Sequence, residues 1–121
     1  MFTKSSAALL AMTVLGADAA YAHPKLLESV PAHDARLSAA PKEIRMIFSE
    51  GLIANFTGLE LKDAKGKTIP TGKAALASGD FKKFTVPIAA RLAPGSYTVA
   101  WHAVSMDTHR VSGSYKFTVG K

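Results

Sequence analysis

Residues 92–101 read Leu-Ala-Pro-Gly-Ser-Tyr-Thr-Val-Ala-Trp, a turn followed by a strand, and this pattern recurs through much of the sequence. Pro94-Gly95 is turn chemistry, whereas Tyr97, Val99 and Trp101 alternate with small or polar residues. Apolar residues with a period of two indicate a strand that has one face on a core and the other in water. The stretch therefore predicts β-structure.

The same alternation extends outward on both sides of this stretch. It comprises Ile44, Met46 and Phe48; Leu59 and Leu61; Phe84, Val86 and Ile88; and Tyr115, Phe117 and Val119. Residues 26–30 and 67–71 are weaker strand candidates, and residues 73–77 form one helical turn at most. About seven short strands separated by turns predict an all-β fold, an immunoglobulin-like Greek-key sandwich or barrel.

Residues 1–22 have the features of a cleaved secretory signal peptide. Lys4 supplies a positive start, residues 7–16 are an apolar run too short to span a bilayer, and residues 20–22 read Ala-Tyr-Ala, a small-x-small cleavage site. Cleavage would leave residues 23–121, the length of one ordinary domain. We therefore expect a periplasmic protein without a transmembrane span in its mature form.

The net charge and the absence of cysteine limit the partners and the metal ligands that the chain can have. The chain carries 15 Lys and Arg against 9 Asp and Glu, a net charge of +6. The lysines are scattered, which is typical of solvated strand and turn positions, and we predict no nucleic-acid partner for an exported protein. The chain has no cysteine, so it has neither disulfides nor thiolate ligands. Any metal must bind through nitrogen, oxygen or thioether.

His23 becomes the first residue after cleavage, and its α-amine and imidazole then form a chelate for a transition metal. Asp107 and His109 are two residues apart, so an extended backbone would present both side chains on one side. Alone, that pair is weak evidence for a metal site, since hydrogen-bonded Asp–His pairs in loops are common. Together the donors are three nitrogens and one oxygen, which suits Cu(II), with zinc as the second choice. Pro24 has no N–H, so only the amine and ring of His23 can chelate there.

These residues resemble the CopC-type periplasmic copper-resistance proteins, including the YobA-like members. The motifs are His23, Leu-Leu-Glu-Ser-Val-Pro-Ala at 26–32, Phe-Ser-Glu at 48–50, residues 92–101, Ser-Met-Asp-Thr-His at 105–109 and Gly-Ser-Tyr-Lys-Phe-Thr-Val at 113–119. The resemblance covers nearly all of residues 23–121. It implies an immunoglobulin-like domain that binds one Cu(II) per chain through His23, Asp107 and His109. The family has an acidic residue after its Phe-Ser pair, and here that residue is Glu50. Its carboxylate orients the amine or a bound water, or alternatively it is only an exposed carboxylate at the end of a strand.

The resemblance also implies a non-catalytic copper carrier or buffer, a monomer, with an inner-membrane CopD-like transporter as its partner. Some members carry a methionine-rich loop for Cu(I). Residues 23–121 contain only Met46, which alternates with core residues, and Met106. We therefore expect a Cu(II) site and no separate Cu(I) site. His33 and His102 are interpreted as solvated or structural.

Two alternatives remain open. An N-terminal histidine chelate is also the arrangement of copper-dependent polysaccharide monooxygenases, although Asp107 would occupy a position that such enzymes leave to oxygen. A metal-free exported sandwich is the other alternative, in which Asp107 and His109 only stabilise a loop. In the unprocessed chain the nitrogen of His23 is an amide, so the metal site is expected to be incomplete.

Overall fold

The computed structural model describes residues 23–120, which form two β-sheets around a shared core. The strands are β1 (Leu26–Val30), β2 (Arg36–Leu37), β3 (Glu43–Phe48), β4 (Gly58–Lys62), β5 (Thr68–Ile69), β6 (Ala75–Ala77), β7 (Asp80–Pro87), β8 (Gly95–Val104) and β9 (Arg110–Val119). A short 3-10 turn covers Ala54–Phe56 before β4. The all-β sandwich predicted from the alternation is confirmed.

The strands divide into a four-stranded and a five-stranded sheet. Their orders are β1-β3-β7-β6 and β2-β9-β8-β4-β5. The strands pair antiparallel throughout, except that β2 runs parallel to β9. The described residues thus form nine strands rather than about seven. Strands β1 and β5 fall on the weaker candidates at 26–30 and 67–71, whereas the short strands β2 and β6 were not predicted.

Residues 73–77 do not form the helical turn that their composition allowed. Ala75–Ala77 is strand β6, which pairs with β7 at the edge of its sheet. Backbone pairing with a long neighbouring strand decides this conformation, and such tertiary contacts routinely override local propensity.

Alternating apolar residues from both sheets meet in one core. Large apolar side chains with less than 2% exposure are Ile44, Met46, Phe48, Leu52, Leu61, Phe84, Val99 and Phe117. The burial of Met46 confirms that it packs in the core. Trp101 lies partly buried at the margin, where its indole meets the ring of Phe48 edge to face at 5.4 Å between centroids. Burying each such side chain is worth about 1.5–3 kcal/mol, and this burial holds the sheets together.

Three segments meet at one end of the sandwich. The Ser49 N–H, just past β3, donates a 2.9 Å hydrogen bond to the carbonyl of Lys25, just before β1. Leu52 forms an isolated bridge with Ser105, the first residue after β8. The chain entering β1, the loop leaving β3 and the β8–β9 connection therefore lie side by side.

The predicted signal peptide, residues 1–22, lies outside the described residues. Within residues 23–120 no helix is long and apolar enough to cross a membrane.

Candidate metal centre

The longest hairpin of the structure carries two of the predicted ligands. Strands β8 and β9 pair from Gly95 opposite Val119 to Val104 opposite Arg110, and residues 105–109 join them. The N–H of Thr108 donates to the Ser105 carbonyl at 2.8 Å, and the N–H of Ser105 donates to the His109 carbonyl at 2.9 Å. Thr108 has a φ of 70°. These features are typical of a three-residue hairpin loop that ends in a left-handed residue.

The backbone around Asp107 and His109 is thus a tight turn and not an extended strand. A left-handed residue between the two reverses the chain direction locally, so the period-two rule does not apply. The two side chains nevertheless meet, with Asp107 Oδ1 3.1 Å from His109 Nδ1. The turn brings them together, and the strand alternation does not.

Ser105 lies beneath this pair and is 1% exposed. Its hydroxyl donates a short hydrogen bond to Asp107 Oδ1 and accepts one from the His109 N–H at 3.2 Å. The pKa of Asp107 lies below its ordinary value, chiefly because of the Ser105 hydrogen bond; partial desolvation opposes this, and His109 adds to it. The carboxylate is therefore negatively charged at neutral pH, as a metal ligand must be.

His23 precedes β1 of the other sheet and lies against the same loop. Its imidazole stacks on that of His109, with 5.1 Å between centroids and 19° between the ring planes. Pro24 is buried, and the N–H of Lys25 donates to Ser49 Oγ at 2.8 Å. The start of the described chain is therefore anchored to the end of β3, which holds His23 beside His109.

The donor spacing suits a small transition-metal ion. Metal bonds to imidazole nitrogen and carboxylate oxygen are ~2.0 Å long, so two ligands at a right angle lie roughly 2.8 Å apart, and two imidazoles on one ion have centroids roughly 4.5–6.5 Å apart. The Asp107–His109 distance of 3.1 Å and the His23–His109 separation of 5.1 Å match these values. The two rings stack face to face, so they would have to turn about their side-chain bonds to aim nitrogens at one point.

Within the described part of the chain, no three His, Asp or Glu side chains are already grouped to hold a metal ion. His23 is here an internal residue of a 121-residue chain. Its backbone nitrogen is an amide, which has no lone pair to offer a metal at neutral pH. The structure thus brings His23, Asp107 and His109 to one place without completing a coordination sphere.

The remaining candidate residues lie as follows. Glu50 is half-buried and directly follows Ser49, at the same end of the sandwich. Met106 is 54% exposed, and its N–H donates to the Gly51 carbonyl at 2.9 Å. His102 points outward from β8 opposite Gly58, and His33 lies in the exposed turn after β1, with Nε2 3.3 Å from Asp34 Oδ2.

Two serines that the sequence did not single out as functional support the predicted ligands. Ser49 anchors the residues after His23, and Ser105 contacts both Asp107 and His109. A serine two residues before an aspartate in a turn is a recognisable signal, since its hydroxyl readily bonds to nearby loop groups. That signal stands in the Ser-Met-Asp-Thr-His motif.

Comparisons with known proteins find a matching family model and relatives over most of the chain. The model of the CopC domain family matches residues 26–120. Protein YobA of Escherichia coli K12 is 40% identical over 107 residues, which covers 88% of this chain and 86% of that protein. Copper resistance protein C of Pseudomonas syringae pv. tomato is 37% identical over 116 residues, covering 92% and 91%. The crystal structure of PcoC, a methionine-rich copper resistance protein from E. coli, superposes with a TM-score of 0.72 at 38% identity, covering 81% of this chain and 99% of that one.

Proposed function

The chain belongs to the CopC domain family, and from this membership we propose that it is a periplasmic Cu(II)-binding protein that acts in copper resistance as a carrier or buffer. The observation that carries the proposal is the stacking of His23 on His109 beside the carboxylate of Asp107. Relatives named copper resistance protein C support the choice of copper.

The proposed ligands are the α-amine and imidazole of His23, the imidazole of His109 and the carboxylate of Asp107. One negative charge against a divalent ion leaves a centre of charge +1, which is less costly to hold near the surface than a bare dication. Nitrogen and oxygen donors favour Cu(II), which also heads the divalent affinity order. Met106 is a lone thioether, so we propose one Cu(II) per chain and no separate Cu(I) site.

Signal cleavage before His23 completes the proposed site. Cleavage converts an amide into an amine on a residue that already lies against His109. The chelate then needs rotation of the two imidazoles but no rearrangement of the β8–β9 hairpin. The leader, residues 1–22, supports the periplasmic assignment, and the family resemblance supports a monomer that exchanges copper with an inner-membrane CopD-like transporter.

The test compares a processed protein that begins at His23 with a matched protein that carries one additional alanine before it. The processed protein should bind one Cu(II), and electron paramagnetic resonance should resolve three coordinated nitrogens. Removing a residue that only orients a metal ligand typically lowers metal affinity by ~10–100-fold. The extended protein should lose more Cu(II) affinity than that, because it lacks the amine ligand itself. His23 is exposed, so the two proteins should share one unfolding midpoint without metal. Equal affinities for Cu(II) would refute the chelate, and no binding by either protein would leave the metal-free sandwich.

Acid should release the metal, because both imidazoles and the amine bind only when deprotonated. Affinity should fall as the pH drops from neutral to acidic, because protons compete with the metal for these nitrogens. Copper binding that persists unchanged to pH 4 would contradict this ligand set.

We propose a non-catalytic role because the Asp107 carboxylate adjoins the ligand nitrogen of His109, where it stabilises Cu(II) and slows redox cycling. The copper-loaded protein should produce less peroxide with a reductant than the same concentration of free Cu(II) does. Sustained peroxide formation, or cleavage of a polysaccharide, would instead favour an enzyme of the copper monooxygenase kind.

A further inference from the structure

The loop that carries Asp107 and His109 is built around one buried hydroxyl group. Ser105 is 1% exposed, and Ser105 and Thr57 are the buried polar residues among residues 23–120. Ser105 Oγ donates to Asp107 Oδ1, accepts from the His109 N–H at 3.2 Å and lies 3.4 Å from the His109 carbonyl oxygen. A single atom therefore contacts the side chain of one proposed ligand and the backbone of the other.

The loop needs such contacts because its backbone is unfavourable. Thr108 has a φ of 70°, a conformation that β-branched residues rarely adopt. Ser105 holds that conformation with its backbone as well, since its carbonyl accepts the Thr108 N–H and its N–H donates to the His109 carbonyl. Ser105 is thus hydrogen-bonded to the N–H of the left-handed Thr108 and to the carbonyl of His109, the residue after it.

Ser105 is itself fixed by the sandwich. It forms a bridge with Leu52, and the carbonyl of the preceding Val104 accepts the Ile53 N–H at 2.9 Å. On its other side, the N–H of Met106 donates to the Gly51 carbonyl at 2.9 Å. The backbone around Ser105 is therefore also held by the loop that follows β3, through contacts that do not involve Asp107 or His109.

We propose that Ser105 is the positioning residue of the metal site. Its hydroxyl directs the Asp107 carboxylate and fixes the backbone at His109 before a metal arrives, so removing it weakens Cu(II) binding without removing a ligand. This inference rests on the proposed function, because it concerns the same site.

The matched variants are Ser105→Ala and Thr57→Val in the processed protein. Thr57 is 7% exposed, and its hydroxyl accepts the Val104 N–H at 3.2 Å. Each substitution thus removes one buried hydroxyl group and the hydrogen bond that this hydroxyl accepts from a backbone N–H, but only Ser105 contacts proposed ligands. Stability should fall in both variants.

Only Ser105→Ala should change copper binding. Its Cu(II) affinity should fall by about 10–100-fold, with an altered copper hyperfine splitting, whereas Thr57→Val should stay within about threefold of the wild type. In the metal-free protein, the His109 amide should exchange with solvent faster in Ser105→Ala than in Thr57→Val, after correction for global stability. An unchanged affinity and spectrum in Ser105→Ala, or an equal loss in Thr57→Val, would overturn the proposal.

Ser105→Thr is a second test of the proposal, and it can be used even if Ser105→Ala does not fold. It keeps the hydroxyl and adds a methyl group, so its affinity should stay within about threefold of the wild type even if its stability falls. A tenfold or greater loss of affinity in Ser105→Thr would refute a role for the hydroxyl. If the processed wild type binds no Cu(II), the proposed function fails, and the amide exchange of His109 still decides whether Ser105 orders the loop.

Discussion

Replacing Gly113 with alanine would force a side chain into the space that the Trp101 indole occupies. The two residues lie directly opposite each other on β8 and β9. A Cβ atom at position 113 would lie 2.7 Å from Trp101 Cζ2, 3.0 Å from Cε2 and 3.3 Å from Nε1. Carbon atoms in contact are normally ~3.5–4.0 Å apart, so the indole must retreat by roughly 1 Å.

The cost follows from what surrounds the indole. On one side Trp101 meets the ring of Phe48, which has no exposed surface. On the other side the indole is partly exposed, so it can tilt toward solvent and lose part of that contact. Overpacking typically costs about 1–3 kcal/mol of stability. Because the indole can move partly into solvent, we expect Gly113→Ala to cost about 2 kcal/mol, near the middle of that range. For a domain of this size, that loss lowers Tm by roughly 8–16 °C.

Trp101 is the only tryptophan of the chain, so its fluorescence reports on the displaced ring. Urea unfolding should give the ~2 kcal/mol loss, and the emission of folded Gly113→Ala should move to longer wavelength as the indole gains solvent. Ser112→Ala is the control, because Ser112 is exposed on the same strand. If Gly113→Ala unfolds within about 0.5 kcal/mol of the wild type and its emission is unchanged, the indole does not lie on Gly113.

Three further predictions concern stability. Burial raises the pKa of Tyr115, so the unfolded chain loses the phenolic proton first and the free energy of unfolding should fall as the pH rises past ~10; Tyr115→Phe should flatten that decline in urea titrations. Ser49→Ala leaves the Lys25 N–H without its acceptor and should lower the free energy of urea unfolding by about 0.5–1.5 kcal/mol; no change would show that water replaces the hydroxyl. Thr108→Gly relieves an unfavourable φ of 70° and should raise the stability by up to ~1 kcal/mol, after the added entropy of the unfolded chain; a lower Tm in calorimetry would contradict this.

The long strands were predictable because each buries alternate residues. Strands β3, β8 and β9 place Phe48, Val99 and Phe117 inside, as the period of two requires. The short strands β2 and β6 were not predicted, because two or three residues cannot show a period. Their conformation comes from a neighbour: Arg36–Leu37 runs beside the end of β9, and Ala75–Ala77 runs beside β7.

The identities of the proposed ligands were readable from the sequence, because a histidine at a cleavage point and an Asp-x-His motif are distinctive in side-chain chemistry. The way in which Asp107 and His109 come together could not be predicted, because it depends on the left-handed conformation of Thr108. Nothing in a threonine signals positive φ, which the residue intrinsically disfavours. Such a conformation persists only where surrounding contacts enforce it, and the buried Ser105 supplies them.

The two halves of the site therefore differ in how they are prepared for metal. The Asp107–His109 half is fixed within one hairpin by hydrogen bonds to Ser105, and it exists before any processing of the chain. The His23 half is held beside it through Pro24 and Ser49, and by our proposal it gains its amine only on cleavage. If the proposed chelate is correct, tight binding should begin only with cleavage, after export, so the unprocessed chain would not retain copper on the cytoplasmic side. Metal titration of the full 121-residue chain beside its processed form measures that difference directly.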